Sequence, residues 1–324
     1  MTRDEVIIAA YRVLLGREPE AMAVEKKLAY LENAQAILKD FVGSREYAER
    51  IRKLSEVHEG LNFAAHRWDP PAQIDVDVSE PQLRALFARI QQEWSKLGET
   101  EPYWSVITQD DFKRANFEKN KAAFFESGDR DAKLLDVFAQ RAKVAMPRGT
   151  CLELGCGVGR ITRYLADRFE RVIAVDVSPG NLALCQQYLE STGKRNVETR
   201  QLKTLTDLES LPTFDVLFSL IVLQHNPPPI IKYALSQLLP RTNRGGLALF
   251  QVPTNTSRYS FAIDKYLKSP IPPLEMHAIP MRVVYALMLQ FGFRPLETLL
   301  DDATGQYGSY TFFAIRQTVA GAQP

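Results

Sequence analysis

Between residues 153 and 159 the chain reads Glu-Leu-Gly-Cys-Gly-Val-Gly, and Asp176 stands twenty-one residues beyond Gly155. Glycines in such a run let a ligand approach the backbone and permit dihedrals that other residues resist. The spacing is GxGxG rather than the GxGxxG of a dinucleotide site. Glu153 lies two positions ahead of the first glycine, where it repels a pyrophosphate and suits a cationic amino-acid ligand. That charge logic favours a sulfonium cofactor, with Asp176 placed to accept hydrogen bonds from both ribose hydroxyls. Glu153, Gly155, Cys156, Gly157, Gly159, Asp176, Val177, Leu202 and Ser219 are the candidate cofactor contacts. The plain alternative, a glycine turn in an α/β domain that binds nothing, leaves Asp176 as coincidence.

Two of the four histidines stand where a general base is useful. His225 closes the run Ser219-Leu220-Ile221-Val222-Leu223-Gln224-His225, at the carboxyl end of a predicted strand, the side on which open α/β sheets bind ligands. His277 lies in Glu275-Met276-His277-Ala278-Ile279-Pro280, just ahead of a predicted helix with Val284, Leu287 and Phe291. For each, the bland reading is a structural hydrogen bond at a loop or helix end. Tyr103 and Trp104, in Pro102-Tyr103-Trp104-Ser105, are candidates for a lid over the cofactor and acceptor. Their bland reading, shared with Trp94, is packing of helices onto a sheet.

These groups need a scaffold, and the text after Pro147 supplies one. Short apolar strands, Cys151–Leu154, Val172–Val175, Val197–Gln201, Asp215–Leu220 and Leu247–Val252, alternate with amphipathic helices, the rhythm of a parallel sheet covered on both faces. Leu296–Leu300 and Tyr310–Arg316 flank a glycine-containing loop, as an antiparallel pair would. Ser178-Pro179 caps the helix after Asp176. Upstream, residues 82–146 read as helices broken by a loop from Gly98 to Asp111. Residues 61–81, with Asp69-Pro70-Pro71 and the alternation Ile74 to Val78, read as a linker or an edge. The first sixty residues look helical: Ile7, Tyr11 and Leu14 share a face until Gly16 and Pro19 break it, and Ser44 caps a helix containing Tyr47.

Lysine and arginine number 40 against 39 aspartates and glutamates, so no broad cationic face for a polyanion is implied, and nucleic acid is a poor first expectation. No apolar run approaches the roughly 18 residues that a membrane span needs, and the start carries acids where a signal peptide carries only bases. A cytoplasmic location is the default expectation. Cys151, Cys156 and Cys185 form no CxxC pair, which argues against a disulfide framework and a zinc site.

The run from Glu153 to Gly159, with the strand-ending Asp176, resembles the class I methyltransferase family, whose first motif has the form (D/E)xGxGxG. The resemblance spans about residues 80–317. It implies S-adenosylmethionine as cofactor, contacted by Glu153, Gly155, Gly157 and Asp176. The implied fold is α/β: a Rossmann-like, mostly parallel seven-stranded sheet in residues 147–320, with residues 82–146 as a helical cap. Leu202-Lys203 departs from a common Gly-Asp form that reads the adenine amino group, which leaves adenine recognition there to the backbone. Methyl transfer from a sulfonium is an in-line displacement that needs positioning first and no metal. A general base helps a hydroxyl acceptor by roughly 10² to 10⁴. The segments holding His225 and His277 are similar to ones in sugar and small-molecule O-methyltransferases. Asn226-Pro227-Pro228-Pro229 is compared with the (D/N)PP(Y/F) motif of DNA amino-methylating enzymes, but it ends in proline and sits too far past Leu220. It reads better as a helix cap with first-turn prolines.

Tyr11 to Pro19, followed by Phe41 to Tyr47, resembles a small helical domain of unassigned function related to phycobilisome-linker repeats. Residues 1–60 are therefore expected to form an all-α domain for docking to a protein partner or for self-association. The association of such domains with glycan-processing enzymes suggests an acceptor hydroxyl on a sugar, glycan or glycolipid precursor. Rival expectations are a non-sugar small-molecule acceptor, a cofactor-binding recruitment protein without catalysis, and, remotely, a dehydrogenase.

Overall fold

The computed structural model describes residues 2–15, 17–20, 22–50, 73–254, 259–272, 274–301 and 308–318. The chain divides into two compact units, Met1–Pro70 and Pro71–Pro324. Three sequence expectations lie outside the described residues: the break at Gly16, the linker over 61–72, and the loop at 302–307.

In the first unit, α1 (Arg3–Ala10) runs into a π-helical turn at Tyr11–Leu15, and α2 (Ala23–Leu28) and α3 (Ala34–Val42) follow. Glu5 accepts from the Thr2 N–H at 2.8 Å, and Asn33 Oδ1 accepts from the Ala36 N–H at 2.9 Å, so the starts of α1 and α3 have capping partners. The expected stripe becomes the core: Ile7 and Tyr11 pack with Val6, Ala10, Leu31, Ile37 and Phe41, with Leu14 half-buried against them. Ser44 Oγ accepts from the Tyr47 N–H at 3.1 Å, as a cap should.

In the second unit, α4 (Glu80–Thr100) and α5 (Phe117–Ala142) precede β1 (Thr150–Leu154), α6 (Thr162–Ala166), β2 (Arg171–Asp176), α7 (Pro179–Ser191), β3 (Val197–Gln201) and β4 (Phe214–Ser219). Then come α8 (Pro228–Leu238), β5 (Thr242–Pro253), α9 (Ile263–Lys268), α10 (Met281–Gln290), β6 (Phe293–Asp301) and β7 (Ser309–Arg316). The seven strands lie in the order β3-β2-β1-β4-β5-β7-β6, with β7 antiparallel to both its neighbours and the others paired in parallel. This is the seven-stranded, mostly parallel sheet of Rossmann-like methyltransferase type.

Side chains alternate across a strand, and β1 uses both faces. Leu152 and Leu154 join the cluster under α4, α8 and α10, while Cys151 joins the one under α5 and α6. Glu153 shares the parity of Cys151.

Several boundaries differ from the sequence reading. Helix α4 begins at Glu80, inside the expected linker, because Ser79 and Gln82 cap it and Pro81 suits its first turn. Residues 73–78 run along the second unit, where Ile74 bridges Phe261 and Asp75 accepts from the Ile263 N–H at 2.9 Å. The loop expected from Gly98 starts only at Glu101: Gly98 is a close contact inside the helix, and a Cβ there would stand 2.1 Å from Ser178 Oγ.

Candidate functional site

The chain leaves β1 at Leu154 and turns through Gly155, Gly157 and Gly159, whose φ angles are +75°, +53° and +85°. Only glycine takes such angles without strain. Added carbons would also collide: a Cβ on Gly155 would lie 2.4 Å from Val222, and one on Gly157 would lie 2.9 Å from Val106. Both glycines border one cavity of about 620 Å³, within the usual range of about 300–1,000 Å³ for a small-ligand pocket. Glu153, Gly155, Cys156, Gly157, Asp176, Val177 and Leu202 line it, seven of the nine residues that the sequence suggests as cofactor contacts. His225 lines it too.

Asp176 ends β2 with both oxygens already held, Oδ2 by the Gly157 N–H and Oδ1 by the Ser178 N–H, each at 2.8 Å. Burial raises its pKa while these backbone donors lower it. Glu153 is less well served. Its Oε2 is buried with no hydrogen-bond partner, and burial pushes its carboxyl up to about 7, against the pull of the Arg160 charge. Arg160 follows the last glycine, pairs with the Asp131 carboxylate at 2.7 Å and donates to Ser127 at 3.0 Å, both on α5, while its Nε lacks a partner among the described residues. Helix α5 reaches this loop through Gly128, where a Cβ would stand 2.0 Å from the Arg160 carbonyl oxygen. Asn181 Oδ1 and Gln224 Oε1 are also buried without partners, and both residues line the cavity. Unpaired buried polar atoms are costly. Four of them on residues that line this cavity mark places where a polar ligand would be held.

The same cavity carries strained backbone. Ile221 and Leu274 both line the cavity and both take left-handed angles, φ +58° and +52°. For a β-branched residue such as Ile221 this is a genuine outlier, and outliers of this kind cluster at functional sites. A relay from another strand supports it: Gln251 Oε1 accepts from the Ile221 N–H at 3.1 Å, and Gln251 Nε2 donates to Ser309 Oγ at 2.7 Å.

His225 ends the helical turn that follows, with its ring 5.1 Å from that of Trp94. Its Nδ1 lies 2.9 Å from the Glu275 carbonyl oxygen. A carbonyl only accepts, so Nδ1 carries the proton and Nε2 keeps the lone pair, toward which Gln224 Nε2 donates at 3.2 Å. Burial lowers the His225 pKa below 6.5, which keeps the ring neutral near pH 7.

Other predicted residues stand elsewhere. His277 does not line the cavity; it is 6% exposed and hydrogen-bonded at both ring nitrogens. Tyr103 stacks on Phe117 at 3.4 Å, so its ring is spent on packing, and neither it nor Trp104 lines the cavity. The neighbouring Ser105, Val106 and Ile107 do. Ser219 is turned into the sheet, donating to the Leu154 carbonyl at 3.3 Å, and Gly159 packs against Cys185. Asn226 ties back to the Val222 carbonyl at 2.8 Å instead of capping α8, whose first turn the prolines do occupy. Arg160, Asn181, Gln224 and Gln251 went unread because each is an isolated polar residue whose role comes only from what folds over it. Arg160 carried one signal, a charge directly after the glycine run.

Residues 151–246 match the family model of a methyltransferase domain. Among curated proteins, the chain is similar to a ubiquinone biosynthesis O-methyltransferase of Pseudomonas fluorescens strain Pf-5, 31% identical over 125 residues, 37% of this chain and 52% of that protein. A protein of the same name from Xanthomonas campestris is 29% identical over 125 residues, 38% of this chain and 50% of its own length. The chain thus spans about half the length of the curated relatives it matches. Among solved structures, magnesium protoporphyrin IX methyltransferase from Synechocystis, with bound S-adenosylhomocysteine, aligns with TM-score 0.51 at 19% identity, over 71% of this chain and all of that one, a likeness of fold. The family match leaves the N-terminal helices unassigned and lends nothing to their resemblance to phycobilisome-linker repeats.

Proposed function

We propose that this chain, whose residues 151–246 match the family model of a methyltransferase domain, uses S-adenosylmethionine to methylate a hydroxyl of a small, largely apolar metabolite, with His225 as general base. The observation that carries the reading is the row of unpartnered buried polar atoms, Glu153 Oε2, Arg160 Nε, Asn181 Oδ1 and Gln224 Oε1, along the same cavity that holds His225. They fit the cofactor's chemistry. Glu153 suits its ammonium, Arg160 its carboxylate, Asp176 its ribose, and Val177 with Leu202 its base.

When bound, S-adenosylmethionine would supply a sulfonium methyl carbon for attack by an acceptor lone pair, with the neutral thioether sulfur as the leaving group. The chain's part is to place and deprotonate that acceptor. His225 is neutral near pH 7 and takes the hydroxyl proton on Nε2, while its Nδ1–H stays bonded to the Glu275 carbonyl. The positive ring that results keeps a partner.

The sequence reading favoured a sugar acceptor, but the wall favours an apolar one. Phe87, Ile90, Trp94, Leu223, Ile230 and Met276 line the cavity, and burying sugar hydroxyls against such groups without partners is unfavourable. The names of the curated relatives point the same way. Residues 1–60 are proposed as a docking or self-association unit, 82–146 as the cap and 147–320 as the catalytic domain.

The test is turnover with His225→Ala against phenolic and sugar acceptors. We expect kcat to fall by roughly 10² to 10⁴, affinity for S-adenosylhomocysteine to persist, and phenolic acceptors to be used in preference. Unchanged kcat would remove His225 as the base, and preference for sugars would overturn the acceptor class.

A further inference from the structure

The short strap from Leu274 to Pro280 is pinned to the turn that carries His225. The pinning is reciprocal: the His225 Nδ1–H donates to the Glu275 carbonyl at 2.9 Å, and the His277 backbone N–H donates to the Gln224 carbonyl at 2.7 Å. At the strap's far side, the Ile279 N–H donates to the Pro253 carbonyl at 3.0 Å, which ties it to the end of β5.

His277 holds the strap from inside. Tyr259, Phe261 and Tyr266 enclose its ring at centroid distances of 6.2, 5.7 and 5.6 Å, all nearly perpendicular. Its Nε2 lies 2.9 Å from Glu275 Oε2, and its Nδ1 lies 2.8 Å from the Tyr259 hydroxyl. Burial raises the Tyr259 phenol, which keeps its proton to donate. The ring therefore donates from Nε2 to the carboxylate and accepts at Nδ1, with no nitrogen left for an acceptor molecule.

From these contacts we propose that His277 is a positioning residue for His225: it clamps the Glu275 side chain, and thereby presents the Glu275 carbonyl that fixes the Nδ1-protonated form of the His225 ring. The link to turnover rests on the function proposed above; the clamp itself does not. A neutral imidazole exchanges freely between two tautomers, and only the one whose Nε2 carries no proton serves as a base at that atom. Without the clamp, Glu275 would rotate, its carbonyl would leave Nδ1, and the wrong tautomer would become populated.

Nitrogen NMR of the histidine rings tests this in the full chain, alongside kinetics. In the unsubstituted protein, the His225 ring should show the neutral Nδ1-protonated pattern. His277→Leu should mix the tautomers and lower kcat at least about tenfold, while affinity for S-adenosylhomocysteine by calorimetry stays within about threefold. His277→Gln offers an amide nitrogen to Glu275 and an oxygen to Tyr259, and should restore both readouts in large part. Should His277→Leu fail to fold, Tyr259→Phe removes a single oxygen from the clamp and should shift the tautomer in the same direction. An unaltered His225 pattern in the folded variants overturns the proposal. A shifted pattern with unaltered turnover supports the clamp and overturns His225 as the base.

Discussion

Glu153 has a carboxyl held near pKa 7 with an oxygen that nothing among the described residues satisfies. An ammonium placed against it would favour the ionised form, so binding should release a proton when the pH is below that value. Affinity for S-adenosylhomocysteine is therefore expected to rise as pH increases from about 6 toward 8 and then level off. In Glu153→Gln that rise should vanish and affinity should drop at the upper end. Calorimetry in buffers of different ionisation heat reads the proton directly. The stability effect has the opposite sign. The folded pKa lies above the ordinary 4.5, so the folded chain binds more protons between the two values and loses stability as pH rises through them. Glu153→Gln should accordingly melt higher than the unsubstituted protein at about pH 8, and the gap should close near pH 5. Deprotonated His225 gives a second profile: kcat should rise to a plateau through a midpoint below 6.5, because burial disfavours the charged ring.

Gln251 acts between elements, since it reaches from β5 to the Ile221 N–H on one side and to Ser309 of β7 on the other. Gln251→Ala leaves the half-buried Ile221 N–H without its side-chain partner, at a cost of about 1 kcal/mol, and frees a bend in the cavity lining. Denaturant unfolding should register that loss, and KM for the acceptor should rise. At this scale the sequence was informative wherever apolar alternation marks an element. All seven strands were legible, though β5 begins at Thr242, earlier than its apolar part, because Asn243, Arg244 and Gly245 carry no such signal. Glycines were harder to read. The three in the cofactor loop announce themselves by spacing, whereas Gly98 and Gly128 sit in helices and serve close contacts that exist only after folding. The same reasoning explains the two histidines: their types and neighbours are alike in the text, and only the rings around His277 and the cavity beside His225 separate them.

Each of the two units has its own apolar cluster, seven buried side chains in the first and two large clusters across the sheet of the second. Removal of residues 1–70 is thus expected to leave the second unit folded, with affinity for S-adenosylhomocysteine within about threefold of the full chain. Melting curves and calorimetry on the shortened protein check this, and loss of binding would mean that the first unit supports the site. The apolar side chains that the first unit leaves exposed, among them Val13, Met22 and Tyr30, make size-exclusion profiles with and without it the way to test for self-association. Strand β7 has a further consequence, because it is inserted between β5 and β6 although it follows both in the chain. A growing polypeptide on the ribosome can lay down the glycine loop, Asp176 and His225 long before Ser309 emerges, yet until then Gln251 has no Ser309 to brace it. Nascent or prematurely terminated copies would hold every proposed ligand-contacting group and still lack the Ser309 partner of Gln251. In the proposed reading, the cavity is therefore complete only once Ser309 has emerged and β7 has joined the sheet.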